Sequence, residues 1–300
     1  MSVTAAQVKE LRQRTGVGMM ECKKALVENS GDMDQAIVWL RERGMAKAAK
    51  KAGRTTAEGI VQVSRSADGK SACAVEINCE TDFAAKNADF REFAEKVAKI
   101  AVEGRFVDVE ALKAARYGES TVGEALTSLI ATVGENMSLR RVRTLSVESG
   151  CVVAYSHMGG KIGSLVALQS DADKSALEEA GSDLAMHVAA TAPKYLTRDQ
   201  VQAAELDTEK DIIRKRLLEQ GKPENIIEKA LLGQVNKFYS DVCLVDQPFV
   251  KEPKMSVTAY LKKVDSAAAI ADFLRFQLGE GIEVKKGDFA AEVADTLRTS

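Results

Sequence analysis

An α+β fold follows from three features of the 300-residue chain. The first 54 residues repeat apolar positions at intervals of three and four, as helices with one buried face do. Beyond them, alternating segments joined by tight turns lead into helical stretches, and this order of strand, turn, strand and helix occurs twice. A polar segment with a thin helical seam interrupts the second copy before its last strand. The predicted architecture is an N-terminal three-helix module, a duplicated core of two small antiparallel sheets covered by helices, and an inserted helical hairpin.

Residues 1–54 are the first unit. Thr4 with Gln7 and Asp32 with Gln35 have capping-box spacing, so each satisfies orphan N–H groups at a helix start. Val8 and Leu11, then Met19, Cys22, Ala25 and Leu26, then Met33, Ala36, Ile37 and Leu40 supply the apolar faces. Breaks are predicted at Gly16-Val17-Gly18, Gly31 and Gly44. Fewer than about 50 residues make a small core, so the unit reads as a partner-docking module on a basic, partly helical linker over 46–56.

The core's N-subdomain occupies 55–147. A strand at 58–64, the turn Asp68-Gly69 and a strand at 71–79 form a hairpin; a helix over 89–103, capped by Asp89 with Glu92, and a third strand at 139–147 complete it. The C-subdomain takes 148–196 and 246–281, with strands at 151–156, 161–169 and 273–279, the turn Gly159-Gly160, and a helix over 173–192. Between its parts, 197–245 reads as a hairpin: Ile213 and Leu217, then Ile227, Leu231, Val235, Phe238 and Val242 keep helical spacing, with Gly221 and Pro223 between. Two readings of that hairpin stay open, a structural excursion and a dimerisation or partner-contact arm. Residues 282–300 form a C-terminal helical module with an amphipathic helix over 289–297.

The formal net charge of −2 conceals a gradient, about +5 over residues 1–54 and about −7 beyond. A basic start fits RNA, an acidic protein face, or simple solvation. Five cysteines, Cys22, Cys73, Cys79, Cys151 and Cys243, are dispersed and odd in number, with no C-x-x-C pair, which argues against a disulfide framework or zinc knuckle and for a reducing compartment. No apolar leader opens the chain and no run approaches the roughly 20 apolar residues of a membrane span, so a cytoplasmic location is expected.

No enzyme constellation emerges. Gly69-Lys70-Ser71 resembles the end of a phosphate loop, but Ser64 stands where the earlier glycine would be needed, so the segment is a turn. His157 and His187 lack metal-ligand spacing and read as surface or interface groups. Cys79 reads as a small buried hydrophobe rather than a nucleophile, and Glu80 with Asp82 make a poor cation site. No cofactor, metal or catalytic residue is expected. The remaining feature is Thr81-Asp82-Phe83-Ala84, an acid beside a ring in a polar turn after a strand. Such a turn displays a rigid probe for a partner, or the ring staples the turn to the core.

The stretch Glu76-Ile77-Asn78-Cys79-Glu80-Thr81-Asp82-Phe83-Ala84-Ala85-Lys86-Asn87 resembles the signature of the bacterial elongation factor Ts family. The likeness runs along the whole chain, through Thr15-Gly16-Val17-Gly18-Met19-Met20-Glu21-Cys22, Gly134-Glu135-Asn136, Met186-His187-Val188-Ala189-Ala190, Gln247-Pro248-Phe249-Val250 and Gly279-Glu280-Gly281-Ile282-Glu283. The resemblance implies a guanine-nucleotide exchange factor for the GTPase elongation factor Tu, with no nucleotide bound directly and no membrane contact. It also implies a UBA-like N-terminal module that touches the GTPase, and dimerisation as one use of 197–245. The family's exchange motif maps onto Thr81, Asp82, Phe83 and Ala84 and disturbs the partner's magnesium site; Val17, Met19, Met20, Met186 and His187 are implied as further partner contacts. The family often has Val where this chain has Ala84, which weakens local packing and leaves acid and ring intact.

Overall fold

A computed structural model describes residues 3–171 and 174–283. Thr4 opens α1 (Ala5–Thr15) with a full capping box, and Gly16 closes it at a φ of 69°. After α2 (Met19–Glu28), Asp32 caps α3 (Met33–Lys51) by accepting from the Gln35 N–H. Val8, Leu11, Cys22, Ala25, Leu26, Ala36 and Leu40 form the module's buried core. The expected break at Gly44 does not occur, because α3 runs through it to Lys51. Gly44 is buried where a Cβ would lie 3.5 Å from that of Ala131, so the missing side chain allows close helix packing rather than a turn.

The core begins with β1 (Glu58–Arg65) and β2 (Ser71–Cys79), joined through Asp68-Gly69. Then come the short α4 (Asp82–Lys86), α5 (Ala88–Glu103), α6 (Val109–Ala114), the two-residue strands β3 (Arg116–Tyr117) and β4 (Ser120–Thr121), α7 (Val122–Val133) and β5 (Met137–Ser146). Asn87, not Asp89 with Glu92, caps α5: its side chain accepts from the N–H groups of Asp89 at 2.8 Å and Phe90 at 3.4 Å. α6 and α7 were not anticipated, although Thr121 and Glu124 form a complete capping box. β2 is central in an antiparallel sheet of order β1-β2-β5.

The second unit repeats that plan. β6 (Cys151–His157) and β7 (Ile162–Gln169) form a hairpin, α8 (Lys174–Thr191) follows, and after the insertion come β8 (Pro248–Phe249), β9 (Glu252–Ser256), α11 (Val257–Val264) and β10 (Ala269–Gln277). β10 pairs with β7, so this sheet has the order β10-β7-β6. The insertion folds as α9 (Ala203–Glu219) and α10 (Glu224–Val242), whose buried Ile213, Leu217, Ile227 and Leu231 cluster with one another.

The sheets pack face to face, which the sequence reading did not anticipate. Val61, Ala72, Ala74 and Leu145 of the first meet Val152, Leu165, Ala167 and Phe276 of the second. On its other face the first sheet sends Cys73, Val75, Ile77 and Cys79 into a cluster with Phe90, Phe93, Val97, Leu126 and Ile130 of α5 and α7. The second sheet packs Val153, Val166 and Leu168 on Leu177, Leu184 and Val188 of α8. β2 is therefore buried at every position. Among the described residues no helix is long and apolar enough to cross a membrane. The predicted helix over 289–297 lies outside the described residues.

Candidate partner-binding site

β2 ends at Cys79 and the chain turns at once into α4. Thr81 has extended backbone, φ −127° and ψ 158°, and is the N-cap, its hydroxyl accepting from the Ala84 N–H at 3.2 Å. A helix advances 100° per residue, so residues 82–83 and residues 84–85 face different ways. Ala84 and Ala85 are buried in the cluster under β2 and α5, and Asp82 and Phe83 are turned outward. The expected polar loop is thus the first turn of a helix. Phe83 is 79% exposed, the most exposed large hydrophobic side chain among the described residues, so it does not staple the turn to the core.

Charges surround the ring. Lys86 pairs with Asp82 at 2.7 Å, one turn along, and its Nζ lies 5.9 Å from the Phe83 ring centroid. The hydrogen bond from Lys86 holds the Asp82 carboxyl below its usual pKa, so it is ionised at neutral pH. Glu80 has other partners: it accepts from the Asn136 N–H at 2.5 Å and pairs with Arg54 at 3.4 Å. The two carboxylates therefore do not share a ligand, and no group of three or more His, Cys, Asp or Glu among the described residues could hold a metal ion. The Cys79 thiol is buried and donates to the Thr81 carbonyl at 3.1 Å; burial, then the charges of Glu135 and Glu58, push its pKa up to about 12. It is a packing group.

On the N-terminal module, Val17 is half-buried against the helical core, whereas Met19 is 44% and Met20 77% exposed at the start of α2. Met186 is half-buried on α8. The expected exposure of His187 is corrected: it is fully buried. Its Nδ1 accepts from the Val250 N–H at 3.2 Å, which leaves the proton on Nε2 to donate to Gln247 Oε1 at 2.9 Å. Burial lowers its pKa, and both ring nitrogens are satisfied without solvent. Gln247 also accepts from the Thr191 hydroxyl and donates to the Asp241 carbonyl, while Phe249 stacks on Tyr260 with centroids 4.1 Å apart. Gln247, Phe249 and His187 are thus one buried assembly, with Pro248 and the Val250 side chain at its exposed edge. His157 stays exposed, stacked on Tyr155 beside the β6–β7 turn.

Sequence reasoning missed Glu135 and Asn136 as neighbours of Thr81 and Glu80, because they lie 54 and 56 residues further on. Only their place in a shared motif hinted at a role.

A sequence model of the family described as Elongation factor TS matches residues 80–280. The chain is 49% identical to "Elongation factor Ts" of Magnetococcus marinus over 304 aligned residues, covering 99% of this chain and 100% of that protein. It is 47% identical to the protein of that name from Clostridium kluyveri, covering 97% of each, and 48% identical to that from Clostridium perfringens, covering 97% of this chain and 98% of the relative. Matched over residues 80–280 by the family model and over nearly its whole length by these relatives, the chain belongs to the elongation factor Ts family.

Proposed function

We propose that this chain is a guanine-nucleotide exchange factor that promotes GDP release from elongation factor Tu during translation elongation. Its working part is the turn Thr81-Asp82-Phe83-Ala84, which enters the partner near its magnesium and phosphate site. The observation that carries the reading is Phe83, 79% exposed on a capped, buried-backed helical turn with an ionised carboxylate beside it. A phenyl side chain moved from water into a partner's crevice contributes about 1.5–3 kcal/mol, and its few rotatable bonds limit the entropy lost. Asp82 brings a negative charge to wherever the ring goes, which disturbs a neighbouring cation site.

The energetics follow from linkage. A factor that weakens GDP binding by a given ratio is itself bound more weakly by that ratio in GDP's presence, so the ternary complex is an intermediate. Each tenfold weakening corresponds to about 1.4 kcal/mol, the scale of one well-buried ring. Val17, Met19 and Met20 extend the contact on the N-terminal module. Met186 does so on the second unit, with His187 supporting that surface from beneath. No covalent step is asked of this chain.

The test is stopped-flow release of a fluorescent GDP analogue from elongation factor Tu, with wild type, Phe83→Ala and Asp82→Ala. Wild type accelerates release, and Phe83→Ala at saturating concentration lowers that acceleration about tenfold or more while complex formation persists. An unaccelerated wild-type reaction removes the exchange reading; equal acceleration by all three keeps exchange and moves it off this turn.

A further inference from the structure

We infer that Glu135 is the positioning residue of the exchange turn: its carboxylate grips Thr81 so that Asp82 and Phe83 stay aimed outward. The inference deepens the exchange reading above and rests on it. α4 has five residues, far fewer than the roughly 12–15 at which an isolated helix begins to persist in water. Its apolar anchor is two methyl groups, those of Ala84 and Ala85. Little burial is therefore available to fix the direction of a ring that itself touches almost nothing.

The rest of the hold is polar: the Cys79 thiol donates to the Thr81 carbonyl at 3.1 Å and Arg91 Nε to the Ala85 carbonyl at 3.3 Å, while the one charged grip on the N-cap residue comes from Glu135. Glu135 Oε2 accepts from the Thr81 N–H at 3.0 Å, and Glu135 Oε1 accepts from the Thr81 hydroxyl at 2.6 Å. Both oxygens of a single carboxylate thus clasp both donors of a single residue, a short charge-assisted pair. The geometry also sets the cap. With the hydroxyl proton committed to Glu135, the oxygen's lone pairs are left for the Ala84 N–H, so clasp and N-cap reinforce each other.

The base of the clasp is itself fastened. The Gly134 carbonyl accepts from Lys51 at the end of α3. The Asn136 side-chain amide donates to the Arg54 carbonyl at 2.9 Å, and the Asn136 N–H donates to Glu80 at 2.5 Å. Three consecutive residues therefore hold the last turn of the N-terminal module on one side and the residues flanking the display turn on the other. Glu135 bonds to Thr81 and makes no hydrogen bond or ion pair with Asp82 or Phe83, so it acts by orientation.

The test compares wild type with Glu135→Ala and Glu135→Gln in the GDP-release assay over a range of factor concentrations, alongside hydrogen exchange of the Thr81 and Ala84 amides in the free protein. Misaiming lowers the release rate at saturation, whereas damage to docking raises the half-saturating concentration. The expected result for Glu135→Ala is a saturating rate down about tenfold, half-saturation changed less than about twofold, and faster exchange at both amides. Glu135→Gln, which keeps one acceptor, falls between Ala and wild type. If Glu135→Ala does not fold, Thr81→Val removes the same hydroxyl bond from the other side and carries the same expectation. A saturating rate equal to wild type, a loss confined to half-saturation, or unchanged amide exchange overturns the inference while leaving the exchange reading standing. If wild type itself fails to accelerate release, the exchange reading falls, and this role for Glu135 in exchange falls with it; the amide data then decide only whether Glu135 holds the turn.

Discussion

In the first sheet the central strand β2 buries Glu76 and Asn78 and then delivers the chain into a turn that puts Phe83 in solvent. In the second sheet, of the same strand order, the central strand β7 buries Leu165, Val166, Ala167 and Leu168, and Ser164 is its buried polar residue. One plan thus carries two kinds of middle strand. Burying a carboxylate costs several kcal/mol unless it is fully paired, and Glu76 is paired lavishly. Arg140 donates to it at 2.9 Å and 3.1 Å, the Gly279 N–H at 2.9 Å and Asn78 at 3.1 Å, and Arg141 adds a further ion pair. Burial favours the neutral acid, yet the Gly279 N–H and Arg141 outweigh it and hold the pKa below the usual range. Gly279 follows the last strand of the second sheet, so this network ties the two sheets together through the strand that leads into the turn bearing Phe83. The denser buried polar pairing lies in the copy whose central strand leads to the exposed ring.

The sharpest way to break the comparison is to remove each strand's buried polar group. Glu76→Ala removes the buried carboxylate that Arg140 and Arg141 share, leaving them only their partly exposed contacts with Gln277 and Glu280, and an unfolding free energy lower by about 3 kcal/mol is expected in urea titrations. Ser164→Ala loses one hydrogen bond, to the Ala185 carbonyl at 2.6 Å, and is expected to cost about 1 kcal/mol. Equal losses in the two variants would show that the first sheet's network contributes no more than an ordinary bond.

The second sheet has its own polar assembly at His187, and pH sharpens the contrast. Burial depresses this histidine's pKa below 6.5, so between the folded and unfolded values the unfolded chain binds more protons. Above pH 6.5 both states are neutral and the group has no effect; as pH falls below it, stability is lost until the folded value is passed. Glu76, held low, keeps its contribution until pH falls through the ordinary carboxylate range. Urea midpoints at about pH 7.5 and about pH 5.5 are expected to fall for wild type and to fall less for His187→Gln, each variant compared with itself. An identical fall in both would clear His187 of the effect.

The smallest effect belongs to the displayed ring. Phe83→Ala is expected to change unfolding stability by less than about 0.5 kcal/mol, because the side chain packs on almost nothing. A substantial loss of stability would mean that the ring is part of the core after all.

Much of this was legible because turn and cap chemistry is local. Asp68-Gly69, Gly159-Gly160 and the Thr4 box act within a few residues, and each stands where its spacing placed it. The face-to-face packing of the sheets was hidden because the inward face of β2 carries Ala72, Ala74, Glu76 and Asn78, small or polar residues that do not announce a buried surface. Gly44 reads as a break in any helix, since only its neighbour Ala131, far along the chain, shows that a missing side chain was needed there. At the site, an acid and a ring were evident, but whether the ring faced in or out depended on the burial of Ala84 and Ala85. The environments of His187 and Thr81 were invisible for the same reason, since their partners Gln247 and Glu135 are 60 and 54 residues away.

The insertion leaves and re-enters the body through one narrow doorway. Tyr195 bridges to Cys243, the Lys194 N–H donates to the Val242 carbonyl at 2.9 Å, and Arg198 pairs with Asp246 at 2.8 Å. The two chain ends that the body sees are already side by side, and the hairpin's apolar cluster contains only its own residues. The body therefore places no demand on the length of what lies between, and this arm is free to lengthen, shorten or be exchanged over evolutionary time without refitting the sheets.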